Sequence, residues 1–250
     1  MKLLLAVSLL TALAAAPAHA DEFSPAQKDD IGAIVKDYLI SHPDALREAL
    51  DSMDKHEKQV EAEARQKIVA DQYGVLFDSP HQAVVGNPKG GATLVEFFDY
   101  NCHYCKGALP DIARLMQNDP NLRVVLKDFP VLGPGSVEAA QVASAVRNQL
   151  TGEKFWQYHQ KLLGMHGPVG KAEALAVAKE LGVDLDQLEK DMANPDIRNG
   201  IEETMRTADA LQINGTPSFV VGQDVVIGAV GYDELKNKVD SVHKCGRAVC

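Results

Sequence analysis

The chain has 250 residues and carries 35 acidic against 25 basic side chains, a formal net charge of −10 at pH 7. Nucleic acids and anionic lipid surfaces select basic proteins, so this charge argues against either as a partner. The length is sufficient for one large domain or for a domain with an extension.

Residues 1–20 have the pattern of a secretory signal peptide. Lys2 supplies a short positive start, residues 3–14 form an apolar run, and Ala18-His19-Ala20 is a small-x-small cleavage site. The run is too short to cross a bilayer core as a helix. We therefore expect export to the periplasm, cleavage after Ala20, and a mature chain that is not inserted in the membrane.

Residues 21–73 form a predicted helical extension. Ser24 and Gln27 have capping-box spacing, and an apolar stripe at helical spacing follows in Ile31, Ile34, Val35, Tyr38 and Leu39. A second helix is predicted from Pro43 to about residue 73, and it becomes mostly polar after Asp54. Two interpretations remain open for the extension: a solvated connector, or a homo-oligomerisation segment whose apolar stripe meets copies of itself.

From Gly74 onward the sequence predicts strands and turns, then an α/β domain that continues to residue 250. A strand pattern precedes the first helix and another follows it, which implies that these two strands are parallel. Residues from about 136 to 210 read as successive helices, an insertion into the sheet. The predicted strands are Val84–Val85, Thr93–Phe98, Leu122–Leu126, Ser218–Val221 and Val225–Ile227, and a final helix covers Tyr232–Val242.

Cys102 and Cys105 are the most informative residues of the chain. They are three residues apart, where an apolar strand turns into a helix. The N-terminus of a helix favours an anion, and the thiolate is the form of cysteine that attacks disulfides. The spacing therefore indicates thiol–disulfide exchange. Zinc-finger spacings are missing from the sequence, so we expect neither a structural metal nor a cofactor.

Three further features make the cysteine pair more specific. Glu96 lies six residues earlier in an apolar strand, where an unpaired carboxylate is costly; the alternative is an acid that reaches solvent at the strand edge. Thr216-Pro217 precedes a strand, and an ordinary trans turn proline is the alternative. His103, between the cysteines, is either a cation that favours the thiolate or a solvated structural residue.

These motifs together resemble a known family. Residues 97–106 and 215–219 are similar to the DsbA-like branch of the thioredoxin superfamily, and the similarity runs from about Gln82 to Val242. Residues 23–50 resemble the extra domain of the ScsC (suppressor of copper sensitivity protein C) group within that branch. The resemblance implies a thioredoxin fold with a helical insertion, preceded by a helical extension.

The resemblance also implies a role for each matching residue. Cys102 would be the exposed nucleophile and Cys105 the buried resolving thiol. Pro217 would be cis and would present the backbone of Thr216 to an extended substrate strand. Glu96 would lie beneath Cys105 and help to move its proton.

The sequence leaves the direction of the reaction open. The ScsC-like extension and Thr216 favour an isomerase or reductase, whereas a DsbA-like dithiol oxidase is the alternative. The ScsC group more often has Pro where His103 stands, so the redox potential is open too. The expected partners are proteins with cysteines or disulfides and a redox partner protein. A copper-binding protein that uses the two thiolates is the alternative of another class.

Cys245 and Cys250 form a second local pair at the end of the chain. The loop between them is short enough to close, so a structural disulfide is the first interpretation. A metal-binding or auxiliary redox pair, with His243 nearby, is the alternative.

Overall fold

The computed structural model describes residues 23–250, so the predicted signal peptide lies outside the described residues. None of the described helices is both long enough and apolar enough to span a membrane. Internal contacts divide the chain into two units between His56 and Glu57, and each unit is described separately below. The domain boundary predicted at residues 73–74 stays a prediction.

The first unit contains helix α1 (Pro25–Ser41) and the beginning of helix α2 (Pro43–Asp71). The predicted capping box is present: Ser24 Oγ accepts the Gln27 N–H at 3.3 Å, and Gln27 Oε1 accepts the Ser24 N–H at 2.9 Å. No residue of α1 is buried, and four members of its apolar stripe are well exposed. Their exposed fractions are 42% for Ile31, 68% for Ile34, 51% for Val35 and 54% for Tyr38.

The second unit is built on a five-stranded sheet with the strand order β1-β3-β2-β4-β5. Strands β2 and β3 are parallel, as the crossover helix predicted, and every other neighbouring pair is antiparallel. The hairpin predicted after the helical insertion is present as β4–β5, and it lies beside β2. The strands are β1 (Ala83–Gly86), β2 (Ala92–Phe98), β3 (Leu122–Asp128), β4 (Ser218–Val221) and β5 (Asp224–Ile227).

Helices cover both faces of the sheet, and five of them form the predicted insertion. The insertion consists of α5 (Pro134–Val146), α6 (Glu153–Leu163), α7 (Lys171–Glu180), α8 (Leu185–Met192) and α9 (Pro195–Ala210). This unit also contains the end of α2, from Glu57 to Asp71, and the helices α3 (Tyr73–Phe77), α4 (His103–Asn118) and α10 (Tyr232–Cys245). The fold is therefore a thioredoxin-like sheet with a helical insertion and preceding helices.

The predicted change from helix to strands and turns at Gly74 is wrong by four residues. Helix α3 continues to Phe77 because Leu76 and Phe77 are buried in a core cluster that also contains Val95 and Phe97 of β2. Packing on the sheet fixes this short helix, and its own sequence does not reveal that contact.

The two faces of the sheet carry two core clusters. Alternate residues of β2 enter them: Leu94 and Phe98 join the larger cluster, and Val95 and Phe97 the smaller one. Because both faces are covered, β2 reads as a continuous apolar run rather than an alternating one. Against this background the buried Glu96 is conspicuous.

Candidate active site

The turn from β2 into α4 places Cys102 at the N-cap of that helix, as the sequence predicted. Its backbone is extended (φ −75°, ψ 118°), and its Sγ accepts a hydrogen bond from the Cys105 N–H at 3.3 Å. The Cys102 N–H donates to the Asp99 carbonyl at 2.9 Å, which closes the turn. The sulfur therefore receives the backbone donor that a capping side chain normally receives.

Asp99 organises this turn, and sequence reasoning missed it. Its carboxylate is buried and accepts hydrogen bonds from Asn101 N (2.8 Å), Ser136 Oγ (2.7 Å), Val131 N (2.9 Å) and Leu132 N (3.0 Å). One carboxylate thus connects the cysteine turn to the segment that follows β3 and to α5. The Asp-x-Asn spacing at a strand end is typical of an Asx turn and could have revealed the local contact.

Thr216 and Pro217 lie beside the cysteines because β4 pairs with β2, with Ser218 opposite Phe97. The Thr216–Pro217 peptide bond is cis. The Cys102 thiol donates to the Thr216 carbonyl oxygen at an S···O distance of 3.2 Å. Cys102 is only 4% exposed, so the expectation of an exposed nucleophile is wrong: Thr216 and the first turn of α4 cover its sulfur.

The surroundings of Cys102 lower its pKa from 9.0 to about 6. The largest contribution is the hydrogen bond from the Cys105 side chain; burial opposes it. The Thr216 side chain and the backbone N–H groups of Cys105 and Tyr104 lower the pKa further. Donors that favour the charged form have this effect on a thiol. At neutral pH most Cys102 side chains are therefore thiolates.

His103 is exposed and points toward the ring of Tyr104, with the two ring centroids 5.8 Å apart. The groups that lower the pKa of Cys102 most are Cys105, Thr216 and the backbone. The cationic role of His103 stays a prediction.

Cys105 has the opposite environment. It is fully buried, and burial raises the pKa of its thiol far above the ordinary value; the hydrogen bond with Cys102 and the charge of Glu96 raise it further. Cys105 is therefore a neutral thiol when Cys102 is a thiolate. One thiol can attack, and the other stays protonated until a base takes its proton.

Glu96 is the buried acid of the site. It is 0% exposed, and neither carboxylate oxygen has a hydrogen-bond partner among the described residues. The alternative of an acid that reaches solvent at the strand edge is therefore wrong. Burial, and secondarily the charge of Cys102, raise the pKa of Glu96 from 4.5 to about 8. A carboxyl that titrates near neutral pH beside Cys105 is able both to hold and to release a proton.

Two more buried charges near the end of β3 were not foreseen. Lys127 donates from Nζ to the Val75 carbonyl at 2.5 Å, and burial lowers its pKa to about 8. Lys127 pairs in register with Phe97, so its side chain lies on the opposite sheet face from Glu96. Burial raises the pKa of Asp128 to about 7, although Arg147 opposes the shift. The sequence did not predict their burial, because Lys-Asp at the end of a strand is typical of the start of a surface turn.

Cys245 and Cys250 form a disulfide at the end of α10. The loop that it closes buries Ala248, whose N–H lies 3.1 Å from the position a Cβ would take on Gly222. Gly222 belongs to the β4–β5 turn, at the other end of the sheet from Cys102. Within residues 23–250, no three His, Cys, Asp or Glu side chains are arranged to hold a metal ion. The copper-binding alternative, which uses the Cys102 and Cys105 thiolates, stays a prediction.

Comparison with known proteins gives the same assignment as this geometry. The DSBA-like thioredoxin domain model matches residues 93–240, which is more than half of the chain. The chain belongs to the DsbA-like thioredoxin domain family. A second model, the copper resistance protein ScsC N-terminal domain, matches residues 27–63, which include most of α1 and part of α2.

Solved structures of DsbA-like proteins agree with the match. A thioredoxin-like oxidoreductase from Silicibacter pomeroyi is 42% identical and covers 69% of this chain and 98% of its own, with a TM-score of 0.65. Proteus mirabilis ScsC in a transitional conformation is 28% identical and covers 88% of this chain and 98% of its own, also with a TM-score of 0.65. The second similarity extends beyond the DsbA-like domain into the N-terminal helices.

Curated relatives include much longer proteins. The Na(+)/H(+) antiporter NhaA 1 of Salinispora arenicola is 30% identical over 169 residues. The aligned region is 67% of this chain but 26% of the antiporter. The chain thus spans about a quarter of the length of that relative.

Proposed function

We propose that this chain is an exported, periplasmic thiol–disulfide oxidoreductase that acts on protein substrates as an isomerase or reductase. The observation that carries the exchange reaction, in either direction, is the opposite protonation of its two thiols: Cys102 has a pKa of about 6, whereas burial keeps Cys105 protonated. Exchange requires one thiolate to attack a disulfide and one thiol in reserve to release the mixed disulfide.

The reaction follows from these two states. The Cys102 thiolate attacks one sulfur of a substrate disulfide, forms a mixed disulfide and expels the other sulfur as a thiolate. In isomerisation, that substrate thiolate or another attacks the mixed disulfide and regenerates Cys102. In reduction, Cys105 transfers its proton to Glu96 and attacks Cys102, which leaves a Cys102–Cys105 disulfide and a reduced substrate. A redox partner protein then returns the pair to the dithiol.

The N-terminal helix supports the isomerase or reductase direction. Helix α1 has no buried residue and exposes Ile31, Ile34, Val35 and Tyr38 on one stripe. An apolar stripe that stays exposed among residues 23–56 of its unit fits association with copies of itself. The match to the ScsC N-terminal domain model covers this helix. We expect a homo-oligomer formed through residues 21–73.

A dithiol oxidase is the second candidate, and the pKa of Cys102 favours it as well. A stabilised thiolate stabilises the reduced form, which makes the corresponding disulfide a stronger oxidant. The same site therefore serves either direction, and the redox partner decides which form accumulates.

Truncation tests the proposed direction. The test compares two proteins: the mature chain from Asp21 and a chain that begins at Gly74. We would measure the mass of each in solution and its ability to refold a substrate with scrambled disulfides. We expect the truncated chain to be monomeric and to lose most isomerase activity while it still reduces a small disulfide. A mature chain in which Ile34→Asp and Tyr38→Asp break the stripe is the full-length control. Isomerase activity and oligomeric mass that both survive would contradict the proposal.

A further inference from the structure

The loop between α6 and α7, residues 164–170, is tied at both ends to residues that adjoin the two cysteines. It belongs to the helical insertion and is separated from Cys102 by about sixty residues of sequence. Hydrogen bonds hold both ends of the loop, and the segment between them is exposed. The proposed exchange reaction assigns no role to this loop.

The first tie comes from Lys106, the residue after Cys105. Its Nζ donates a hydrogen bond to the Met165 carbonyl oxygen at 2.7 Å. Met165 is partly buried against the larger core cluster. The beginning of the loop is therefore held beside the first turn of α4.

The second tie comes from Asn101, the residue before Cys102. Its Oδ1 accepts the Val169 N–H at 2.7 Å, and its Nδ2 donates to the Val169 carbonyl at 2.8 Å and to Ser136 Oγ at 3.0 Å. A primary amide that engages both backbone groups of one residue fixes that residue as a strand partner would. Val169 is 1% exposed, so the end of the loop is firmly seated.

Between the ties the chain is exposed. His166, Gly167 and Pro168 face solvent, and Gly167 has φ +83°, a conformation that turns the chain and favours glycine. The His166 side chain makes no hydrogen bond or ion pair with the other described residues. Because both ends of the segment are fixed, its exposed middle residues lose little conformational entropy when a partner binds. The segment is therefore a preorganised surface.

Exposed apolar side chains lie on two segments that are joined to the turn carrying Cys102. Tyr104, between the cysteines, is 67% exposed, and Leu132 is 54% exposed on the segment held by Asp99. Isolated exposed apolar residues are ordinary, but Tyr104 follows Cys102 by two residues and Leu132 is hydrogen-bonded to the turn that carries Cys102. Their chemistry fits an extended polypeptide with apolar residues beside its cysteine.

We propose that residues 164–168 form a substrate-binding wall of the Cys102 site, opposite the Thr216–Pro217 loop, and that the wall contacts apolar residues flanking the cysteine of an extended polypeptide. This inference rests on the exchange reaction of the proposed function and adds the surface that selects polypeptides over small disulfides. Asn101 and Lys106 are then positioning residues: they act on the substrate through the loop.

Cross-linking tests the contact directly. In the Cys105→Ser variant, the Cys102 thiolate displaces thionitrobenzoate from a peptide cysteine and forms a stable Cys102–peptide disulfide. The peptide carries a benzophenone side chain beside its cysteine, and mass spectrometry locates the cross-link after illumination. We expect cross-links within residues 164–168. Cross-links confined to residues 216–230 would overturn the wall alone, whereas failure to form the mixed disulfide would overturn the exchange reaction and the wall together.

Kinetics give an independent test in the otherwise unchanged chain. His166→Asp places a carboxylate on the wall, and Asn148→Asp, at an exposed site after α5, changes the side chain to the same acid. We compare kcat/KM for an apolar peptide disulfide with kcat/KM for oxidised glutathione. We expect His166→Asp to lower the ratio of the first to the second at least threefold, because the KM for the peptide rises. The Asn148→Asp ratio should equal that of the unmodified chain. An unchanged ratio in His166→Asp would overturn the proposal.

Discussion

The N–H of Cys105 donates a hydrogen bond to the Sγ of Cys102 at 3.3 Å, and the side chains of the same two residues also interact. The interaction lowers the pKa of Cys102 and raises that of Cys105. Two cysteines that are three positions apart at the start of one helix therefore differ in protonation: Cys102 is a thiolate and Cys105 a thiol. Position on α4 produces this difference, because the first thiol caps the helix and the second faces the core.

Removal of the Cys105 side chain should raise the pKa of Cys102. The Cys105 thiol is the largest stabilising contribution to the Cys102 thiolate. We expect Cys105→Ala to move the midpoint of thiolate absorbance clearly above pH 6. Cys105→Ser, which retains a hydroxyl donor, should move it less. A midpoint in Cys105→Ala equal to that of the unmodified protein would show that the Cys105 side chain does not stabilise the thiolate.

Thr216 should have a smaller effect of the same sign. Its side chain stabilises the Cys102 thiolate, whereas its carbonyl accepts from the protonated thiol. We expect Thr216→Val to raise the pKa of Cys102 and to slow attack on a small disulfide at pH 6, where the thiolate fraction is most sensitive. Thr216→Ser keeps the hydroxyl and serves as the control. A midpoint that does not move in Thr216→Val would refute this contribution.

Glu96 should make the protein less stable as the pH rises. Its pKa is about 8 in the folded protein against an ordinary 4.5, so the folded state favours the protonated acid. The favourable contribution is fully present below pH 4.5 and is lost as the pH rises through 8. We expect Glu96→Gln to match the unmodified protein near pH 4 and to exceed its unfolding free energy by a few kcal/mol, roughly, at pH 8.

Denaturant titrations of both proteins at several pH values measure that difference. Stopped-flow measurement of mixed-disulfide resolution gives a second readout, and Glu96→Gln should slow it because the base for Cys105 is lost. A stability difference that is constant with pH would contradict the raised pKa.

Asp99 should be worth more to stability than an ordinary surface acid. Its carboxylate accepts four hydrogen bonds, and three of the donors are backbone N–H groups. We expect Asp99→Ala to lower the unfolding free energy by about 2–4 kcal/mol, since it leaves buried donors without partners. Asp186→Ala, on the exposed side of α8, should change it by less than about 0.5 kcal/mol. Similar losses in both variants, measured by urea unfolding, would contradict this role.

Sequence reasoning succeeded where the cause is local. The β4–β5 hairpin and the Ser24 capping box follow from patterns within a few residues, and the parallel β2–β3 pair follows from the succession of strand, helix and strand. The burial of Cys102 was not predictable in this way, because the covering carbonyl belongs to Thr216, 114 residues away. Asp99 reaches Val131 and Leu132 across more than thirty residues. Local spacing indicated the cysteine pair as the candidate site, and long-range contacts set the exposure and protonation of its two thiols.

The redox state of Cys102 and Cys105 in cells tests the central proposal most directly. Cells would be quenched with acid, alkylated with a mass-labelled maleimide and examined by mass spectrometry, with the Cys245–Cys250 disulfide as an internal oxidised reference. An isomerase or reductase requires the dithiol, so we predict that Cys102 and Cys105 are both labelled in most molecules. Molecules that are mostly unlabelled at both positions would contradict it and would identify a dithiol oxidase.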